Sequence, residues 1–400
     1  MLYNNITKEL LGLQDVELKK VENKNDKISI HIEMNRKKQK CPCCSVETST
    51  IHDYRIQTVK DISAFGKNIC LVLRKRRYRC NNCNKRFYES NTFLAKYKRM
   101  TNRLIFHILN SLRNERSFTS VAKENRLSVT TVIRYFDFIS YPKAKLPTAI
   151  SIDEFKGNTD GEKYQCIITD PVNKTVLDIL PQRYEHYLVD YFKLYPKAER
   201  QKVECFVSDM WKPYANISTV WFKNAVQIVD KYHWIRQAIW AFERVRKEEQ
   251  KKLSSDLRKY FKRSRSLLNK RYDSLDDDEK RQVNVMLYYS VNISRAYFYK
   301  EDFLKILDFK DSADAKTAML EWIDNAVESD ISHFVSCAKT MRNWLPGIMA
   351  SFSSSVTNGF TEGCNNKIKV LKRNAYGYSN FNRFRNRILH MFSHQIYNIQ

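Results

Sequence analysis

AISIDEFKGNTDGEKYQCIITDPVNKTVLDIL, residues 149–180, decides the fold. Three short runs rich in β-branched residues (AISIDEF, YQCIITD and TVLDIL) are separated by turn-forming Gly, Asp, Asn and Pro. That pattern reads as three consecutive strands. A helical pattern follows near 184–195, then two more strand-like runs, VECFVSD and AVQIVD. The order is β-β-β-α-β-(α)-β, with strands and helices mixed in one domain that starts at Thr148. Pro142 and Pro147 punctuate the chain just before it, as a linker would.

Upstream, residues 99–140 read as helices, with apolar residues at helical spacing in LIFHILNSL and SVAKENRLSVTTVIRYFDFI. Residues 1–37 form a short preamble in which Ile28, Ile30 and Ile32 alternate as in a strand. Downstream, 234–345 is long, charged and helical without a strand signal, and 360–373 and 380–393 are helical again. The chain has 400 residues, too many for one ordinary core, so two or more domains are expected. Hydrophobic residues make up 43%, too many for a disordered chain, and only 8 Gly and 8 Pro exclude a fibrous one. No stretch approaches the roughly 18 apolar residues of a membrane span. The first residues lack the basic–apolar–small layout of a secretory signal, so a cytoplasmic chain is expected. The net charge of +26 calls for a polyanion, and nucleic acid is the commonest. An acidic membrane would also suit, but no amphipathic anchor or lipidation motif is present.

Six of the ten cysteines lie between Cys41 and Cys83. C-x-x-C occurs twice, at Cys41–Cys44 and Cys80–Cys83, and four thiolates in two such knuckles hold zinc tetrahedrally. Cys43 or His52 could substitute for one ligand. Cys166, Cys205, Cys337 and Cys364 read as reduced core residues. From Leu71 to Arg103 there are 11 Lys or Arg against one acid, Glu89, with Tyr78, Phe87, Tyr88 and Tyr97 interleaved. Like charge at that density favours phosphate contact over a solvated face, and Arg74, Arg76, Arg77, Arg79, Lys85 and Arg86 are the expected DNA-binding side chains.

SFTSVAKENRLSVTTVIRYFDFI looks like two helices joined by Asn125-Arg126-Leu127, with Ser128 as the N-cap of the second. Val129, Val132, Ile133 and Phe136 would be its buried stripe, leaving Thr130, Thr131 and Arg134 to face a major groove. A plain helical hairpin is the other reading. Three acids stand out: Asp153 in AISIDEF, Asp209 ending VECFVSD, and Glu362 opening a helix. Two strand-end acids and one helical acid suit Mg²⁺ or Mn²⁺, and two such ions about 4 Å apart serve phosphoryl transfer. Solvated strand-end acids are the bland alternative. Pleat geometry turns Glu154 away from Asp153, and Asp170 reads as a turn cap. After Glu362 no acid occurs; Lys369 and Arg373 share a helix face with Glu362 and Asn366 and would hold the DNA backbone. Lys367, Lys372, Arg383, Arg385 and Arg387 complete that basic tail. Trp240, Trp322 and Trp344 could stack on a distorted base, though core packing is the commoner fate.

The segments CPCC…RRYRCNNCNKRF, SIDEFKG, VSDMWKPY, VDKYHWIRQA and TEGCNNKIKVLKRNAYGYSNFNRFRNRIL, in this order, resemble bacterial insertion-sequence transposases of the DDE type, in detail the ISL-three family. The resemblance implies a multidomain α+β chain. Its parts would be an N-terminal segment (1–37), a zinc-binding module (38–90) and a helix-turn-helix DNA-binding domain (95–141). An RNase H-like α/β catalytic core (148–233 and 346–400) would follow, interrupted by a large helical insertion (234–345). It implies that Asp153, Asp209 and Glu362 are the catalytic triad holding Mg²⁺ (or Mn²⁺), with Zn²⁺ on the cysteines and no nucleotide cofactor. Asp230 and His233 match an Asp-x-x-His motif of these groups; His233 would orient a phosphate or donate a proton, or the pair would be structural. The implied function is binding of inverted-repeat ends in double-stranded DNA, cleavage and strand transfer. A homodimer or larger assembly would do this at the bacterial nucleoid. A DNA-binding regulator with a decayed catalytic domain is the alternative, and a nuclease without strand joining a third reading.

Overall fold

The computed structural model describes residues 9, 11–13, 15–263 and 265–393. They fall into two compact units. One holds the chain up to Tyr141 with Val370–Gly377 and the residues from Asn386 on; the other holds Pro142–Lys369 and Tyr378–Arg385.

In the first unit the strands are β1 (Val16–Lys24), β2 (Lys27–Met34), β3 (Gln39–Lys40), β4 (Glu47–Thr48), β5 (Ile51–Lys60), β6 (Asn68–Arg79) and β7 (Arg86–Tyr88). The main sheet runs β1-β2-β6-β5, with β7 on the end of β6, and β3 pairs β4 separately. Ile30 and Ile32 alternate into a core with Val59, Leu71 and Leu73, as the period-two pattern required. The expected boundary at 37/38 therefore falls inside one sheet: β2 pairs in parallel with β6, so the preamble and the cysteine module share a core.

Helices α1 (Asn102–Ser111), α2 (Phe118–Glu124) and α3 (Val129–Phe136) follow. Each starts on a hydroxyl: the side chains of Thr101, Ser117 and Ser128 accept from the N–H groups of Leu104, Ser120 and Thr131. Such caps contribute about 1 kcal/mol apiece. The turn between α2 and α3 is the expected one, with Arg126 in the left-handed region at φ 49° and the Leu127 N–H donating to Ala122 O at 2.8 Å. The buried stripe of α3 is Val132, Tyr135 and Phe136, while Val129 and Ile133 are only half-buried. Tyr135 sits three residues past Val132, so the helix is rotated slightly from the expected phase.

The second unit is built on β8 (Ala149–Thr159), β9 (Glu162–Asp170), β10 (Thr175–Leu180), β11 (Cys205–Ser208) and β12 (Val226–Val229). Helices α4 (Glu185–Lys193), α5 (Lys197–Arg200) and α6 (Lys212–Trp221) lie between its later strands. The sheet order is β10-β9-β8-β11-β12: the first three strands are antiparallel, and β11 is parallel to both β8 and β12. The first strand lies beside the fourth, as an RNase H-like topology requires. Ile152, Ile168, Phe206 and Leu188 are buried among its apolar residues.

After β12 come α7 (Lys231–Lys252), α8 (Ser255–Arg263), α9 (Arg265–Asn269), α10 (Asp277–Tyr288), α11 (Val291–Lys305), α12 (Ser312–Val327) and α13 (Ser332–Ser353). They enclose a core of their own around Trp234, Phe242, Tyr297, Phe303, Trp322 and Phe334. Helix α13 carries Pro346 inside it and runs through the expected boundary at 345/346. At Gly347 it passes so close to β12 that an added Cβ would stand 2.7 Å from Val229 Cγ2. The chain ends in α14 (Gly359–Asn374) and α15 (Phe381–Phe392). Residues of α15 expected in the catalytic core belong instead to the first unit: Arg387 donates to the carbonyls of Asn114 and Arg116, and His390 Nε2 lies 2.7 Å from Leu109 O. His390 is buried, which pushes its imidazole down to about 4.

Candidate functional site

The two cysteine knuckles have matching backbones. The N–H of Ser45 returns to Cys41 O, and the N–H of Asn84 returns to Cys80 O; Ser45 and Asn84 both sit in the left-handed region. One knuckle joins β3 to β4 of the small sheet and the other joins β6 to β7 of the main sheet. Cys41 Sγ is 3.5 Å from Cys83 Sγ, Cys44 Sγ is 3.5 Å from Cys80 Sγ, and all four sulfurs lie within 4.8 Å of one another. Thiolates about 2.3 Å from one tetrahedral ion stand just under 4 Å apart, so the set fits zinc. The Val46 N–H, followed by Asn82, pulls the Cys44 thiol down to about 6. Cys43 is exposed and His52 is exposed on β5; neither belongs to the group.

The basic stretch divides once neighbours in space are counted. Arg79, Lys85, Arg86, Thr130 and Arg134 are exposed, and Thr131 is half-exposed with its hydroxyl 2.8 Å from that of Ser128. Arg74 is exposed over the Tyr54 ring but pairs with Glu33, and Arg77 pairs loosely with Asp53 at 3.4 Å. Arg76 is a correction. It is 5% exposed, pairs with Glu33 at 2.8 Å and Glu89 at 3.2 Å, and donates to Met34 O. A guanidinium buried in the sheet and paired with two carboxylates is out of reach of a phosphate. In the basic tail, Lys369 and Arg373 are exposed, whereas Arg385 pairs with Asp178 at 2.6 Å and Arg387 is fully buried. Trp322 is core, with its Nε1–H on Tyr299 O; Trp344 packs half-buried against the same core, and Trp240 is 39% exposed.

The acids converge through strand register. The last pairs of the ladder are Val207↔Ser151 between β11 and β8, and Ser208↔Val229 between β11 and β12. Continuing each pairing sets Asp209 beside Asp153 on one side and beside Asp230 on the other. Three aspartates thus stand in a row at one level of neighbouring parallel strands, which lie about 4.8 Å apart. Glu362 comes from the first turn of α14. A buried chain of hydroxyls fixes that turn: Thr169 Oγ1 is 2.8 Å from Thr361 Oγ1, Thr361 donates to Ser151 at 3.0 Å, and Ser151 donates to Asn358 at 2.5 Å. One turn on, Asn365 Nδ2 donates to Asp153 Oδ2 at 2.8 Å. The sequence gives Ser151 as a polar residue on the inward face of a strand; the other partners carry no signal of their own.

The electrostatics follow from this crowding. Burial raises Asp153, and the charges of Glu154 and Glu362 add to it. Burial, then Glu154 and Asp153, push Asp209 up to about 7. Burial, with Glu362 and Asp153, pushes Asp230 up to about 6, while His233 opposes the rise. Buried carboxyls raised in this way gain most from a nearby positive charge. Glu154 points to Arg183 at 2.5 Å, which stacks over Trp211 and Tyr164, and its charge still reaches both Asp153 and Asp209. Asp170 caps its turn by accepting from the N–H groups of Val172 and Asn173. Among the described residues a second tight group appears besides the four cysteines: ligand atoms of Asp230, His233 and Glu362 lie within 4.8 Å of one another.

Three family models match parts of the chain. A family model described as "Transposase" matches residues 150–388, more than half of the chain. One described as "zinc-finger of transposase IS204/IS1001/IS1096/IS1165" matches 37–83. A third, "Helix-turn-helix domain of transposase family ISL3", matches 89–140. The chain is similar to the "Transposase for insertion sequence element IS1001" of Bordetella parapertussis, 25% identical over 389 residues, covering 94% of this chain and 95% of that protein. A stretch of 51 residues, 13% of the chain, is 47% identical to 16% of an "ATP-dependent protease" of Lactococcus lactis subsp. lactis. No helix among the described residues is long and apolar enough to cross a membrane.

Proposed function

The chain belongs to the transposase family ISL3, and from that membership we propose how its residues cut and join DNA. The protein is a DNA transposase with zinc-finger, helix-turn-helix and catalytic domains. In this proposal Asp153, Asp209 and Glu362 hold two Mg²⁺ or Mn²⁺ ions, and Cys41, Cys44, Cys80 and Cys83 hold one Zn²⁺. The donors fit: oxygen-only carboxylates for a hard cation, four thiolates for zinc. Bound there, the divalent ions would polarise a phosphodiester and lower the pKa of the attacking water or hydroxyl.

The chain's own residues do the rest. Asp153 on β8 and Asp209 just past the end of β11 would fix one edge of the site, and Glu362 would close it from α14. Asn365 positions Asp153 through its 2.8 Å hydrogen bond. Lys369 and Arg373, exposed further along α14, would grip the backbone of the cleaved strand. Arg74, Arg77, Arg79, Lys85 and Arg86 of the zinc module would hold phosphates of the inverted-repeat end, and Thr130, Thr131 and Arg134 would read its major groove. Water attack frees a 3′-hydroxyl at the element end; that hydroxyl then attacks target DNA in line, without a covalent enzyme intermediate. Pairing two ends calls for a homodimer or larger assembly, working at the nucleoid in the bacterial cytoplasm.

The observation that carries this reading is the register that sets Asp153 beside Asp209, with Asn365 tying the helix of Glu362 to Asp153. The test uses labelled element ends, a plasmid target and Mg²⁺, with Asp153→Asn beside the unaltered protein. Joined product should form only with the unaltered protein; equal product from both would remove the triad.

A further inference from the structure

Asp230 is the first clue to a separate site. It occupies the N-cap of α7, where an aspartate ordinarily accepts from the first-turn N–H groups, yet its side chain makes no capping bond. It is 9% exposed, and its Oδ2 is buried with no hydrogen-bond partner. A buried carboxylate oxygen without a donor is costly, so the position calls for a ligand. His233, one turn along, sends Nε2 to 3.8 Å from that oxygen, too far for a hydrogen bond. Glu362 completes the group, with one ligand atom from each of the three residues inside 4.8 Å. Donors on one ion stand roughly 3–4 Å apart when each bond is about 2.1 Å.

We propose that Asp230, His233 and Glu362 form a binding site for one divalent cation, distinct from the site between Asp153 and Asp209. Two carboxylates and an imidazole make a borderline donor set, which takes Mn²⁺, Co²⁺ or Zn²⁺ in preference to Mg²⁺. The cation neutralises the two acids that repel each other there and supplies the missing partner of Asp230 Oδ2. It also fixes Glu362 by tying the start of α14 to the start of α7. The site uses Glu362 but does not need the triad assignment, so it stands or falls separately from it.

The probe is Mn²⁺ added to the full-length, zinc-loaded protein and followed by pulsed electron paramagnetic resonance, which detects a directly bonded nitrogen. The unaltered protein should show nitrogen modulation from a bound Mn²⁺, and His233→Ala should abolish it. Asp230→Asn keeps the imidazole and should weaken Mn²⁺ binding at this site at least about tenfold. Asp153→Asn should keep the nitrogen signal, whatever it does to strand transfer. Absence of nitrogen modulation in the unaltered protein, its survival in His233→Ala, unchanged affinity in Asp230→Asn, or its loss in Asp153→Asn would each overturn the proposal.

Discussion

Replacing Asp209 with Asn should make the cation-free protein more stable at pH 8. In the folded chain burial, with Glu154 and Asp153, raises this carboxyl from 3.8 to about 7, while Arg183 pulls it back slightly. A folded-state value above the unfolded one means that the folded chain keeps its proton to higher pH. The stability this gives is complete below about pH 4 and is lost as pH rises toward 7. The full linkage is about 4 kcal/mol at 1.36 kcal/mol per pH unit. Partial solvent access reduces it to about 2 kcal/mol. In a domain of this size that is about 4–8 °C in melting temperature. Asn is isosteric and still accepts from the Trp211 N–H, which Asp209 Oδ1 accepts at 3.1 Å. The assay is thermal unfolding between pH 5 and 8, without divalent cations but with zinc content checked. Asp209→Asn should melt higher at pH 8, fall less steeply with pH, and gain less from added Mn²⁺. A lower melting temperature at pH 8, or an unchanged pH slope, would refute the claim that these acids crowd one another.

Three other expectations follow from named contacts. Cys80→Ser should lose the single zinc equivalent and binding to element ends together; full zinc retention, read by metal analysis, would exclude the four-thiolate site. Arg76→Ala leaves Glu33 and Glu89 without their buried partner and should cost about 3–5 kcal/mol in a denaturant titration, whereas Arg86→Ala should leave stability unchanged and lower the salt dependence of DNA binding by about one charge. Gly347→Val drives a side chain into fully buried Val229 and should destabilise by about 1–3 kcal/mol or more, seen as a lower melting temperature.

How much of this was legible depended on range along the chain. The C-x-x-C pairs and the capped helices carry their chemistry within a few residues, so Cys41, Cys44, Cys80, Cys83 and Ser128 could be placed from sequence alone. The strands of the second unit were legible by their apolar runs, and Asp209 does follow the end of β11, but Asp153 is not a strand-end acid: β8 continues past it to Thr159. Counting charge along one strand misled for Arg76, because its partner Glu33 comes from β2, which sequence cannot set beside β6. The tail of cations after Glu362 misled in the same way: Asp178, on β10, takes Arg385 out of solution, and backbone carbonyls of the helix-turn-helix take Arg387. Asp230 reads in sequence as a helix cap; only the fold shows that its carboxylate forgoes that bond. The hydroxyl chain from Thr169 to Asn358 joins residues nearly two hundred positions apart and has no local signature.

The central claim is that Asp153, Asp209 and Glu362 grip divalent cations. Crystals grown with Mn²⁺, with anomalous scattering recorded at the manganese edge, test it directly. A peak is expected about 2.0–2.4 Å from carboxylate oxygens of both Asp153 and Asp209, with Glu362 on the same or an adjoining ion. Manganese bound only by Asp230, His233 and Glu362, with Asp153 and Asp209 free of metal, would contradict it.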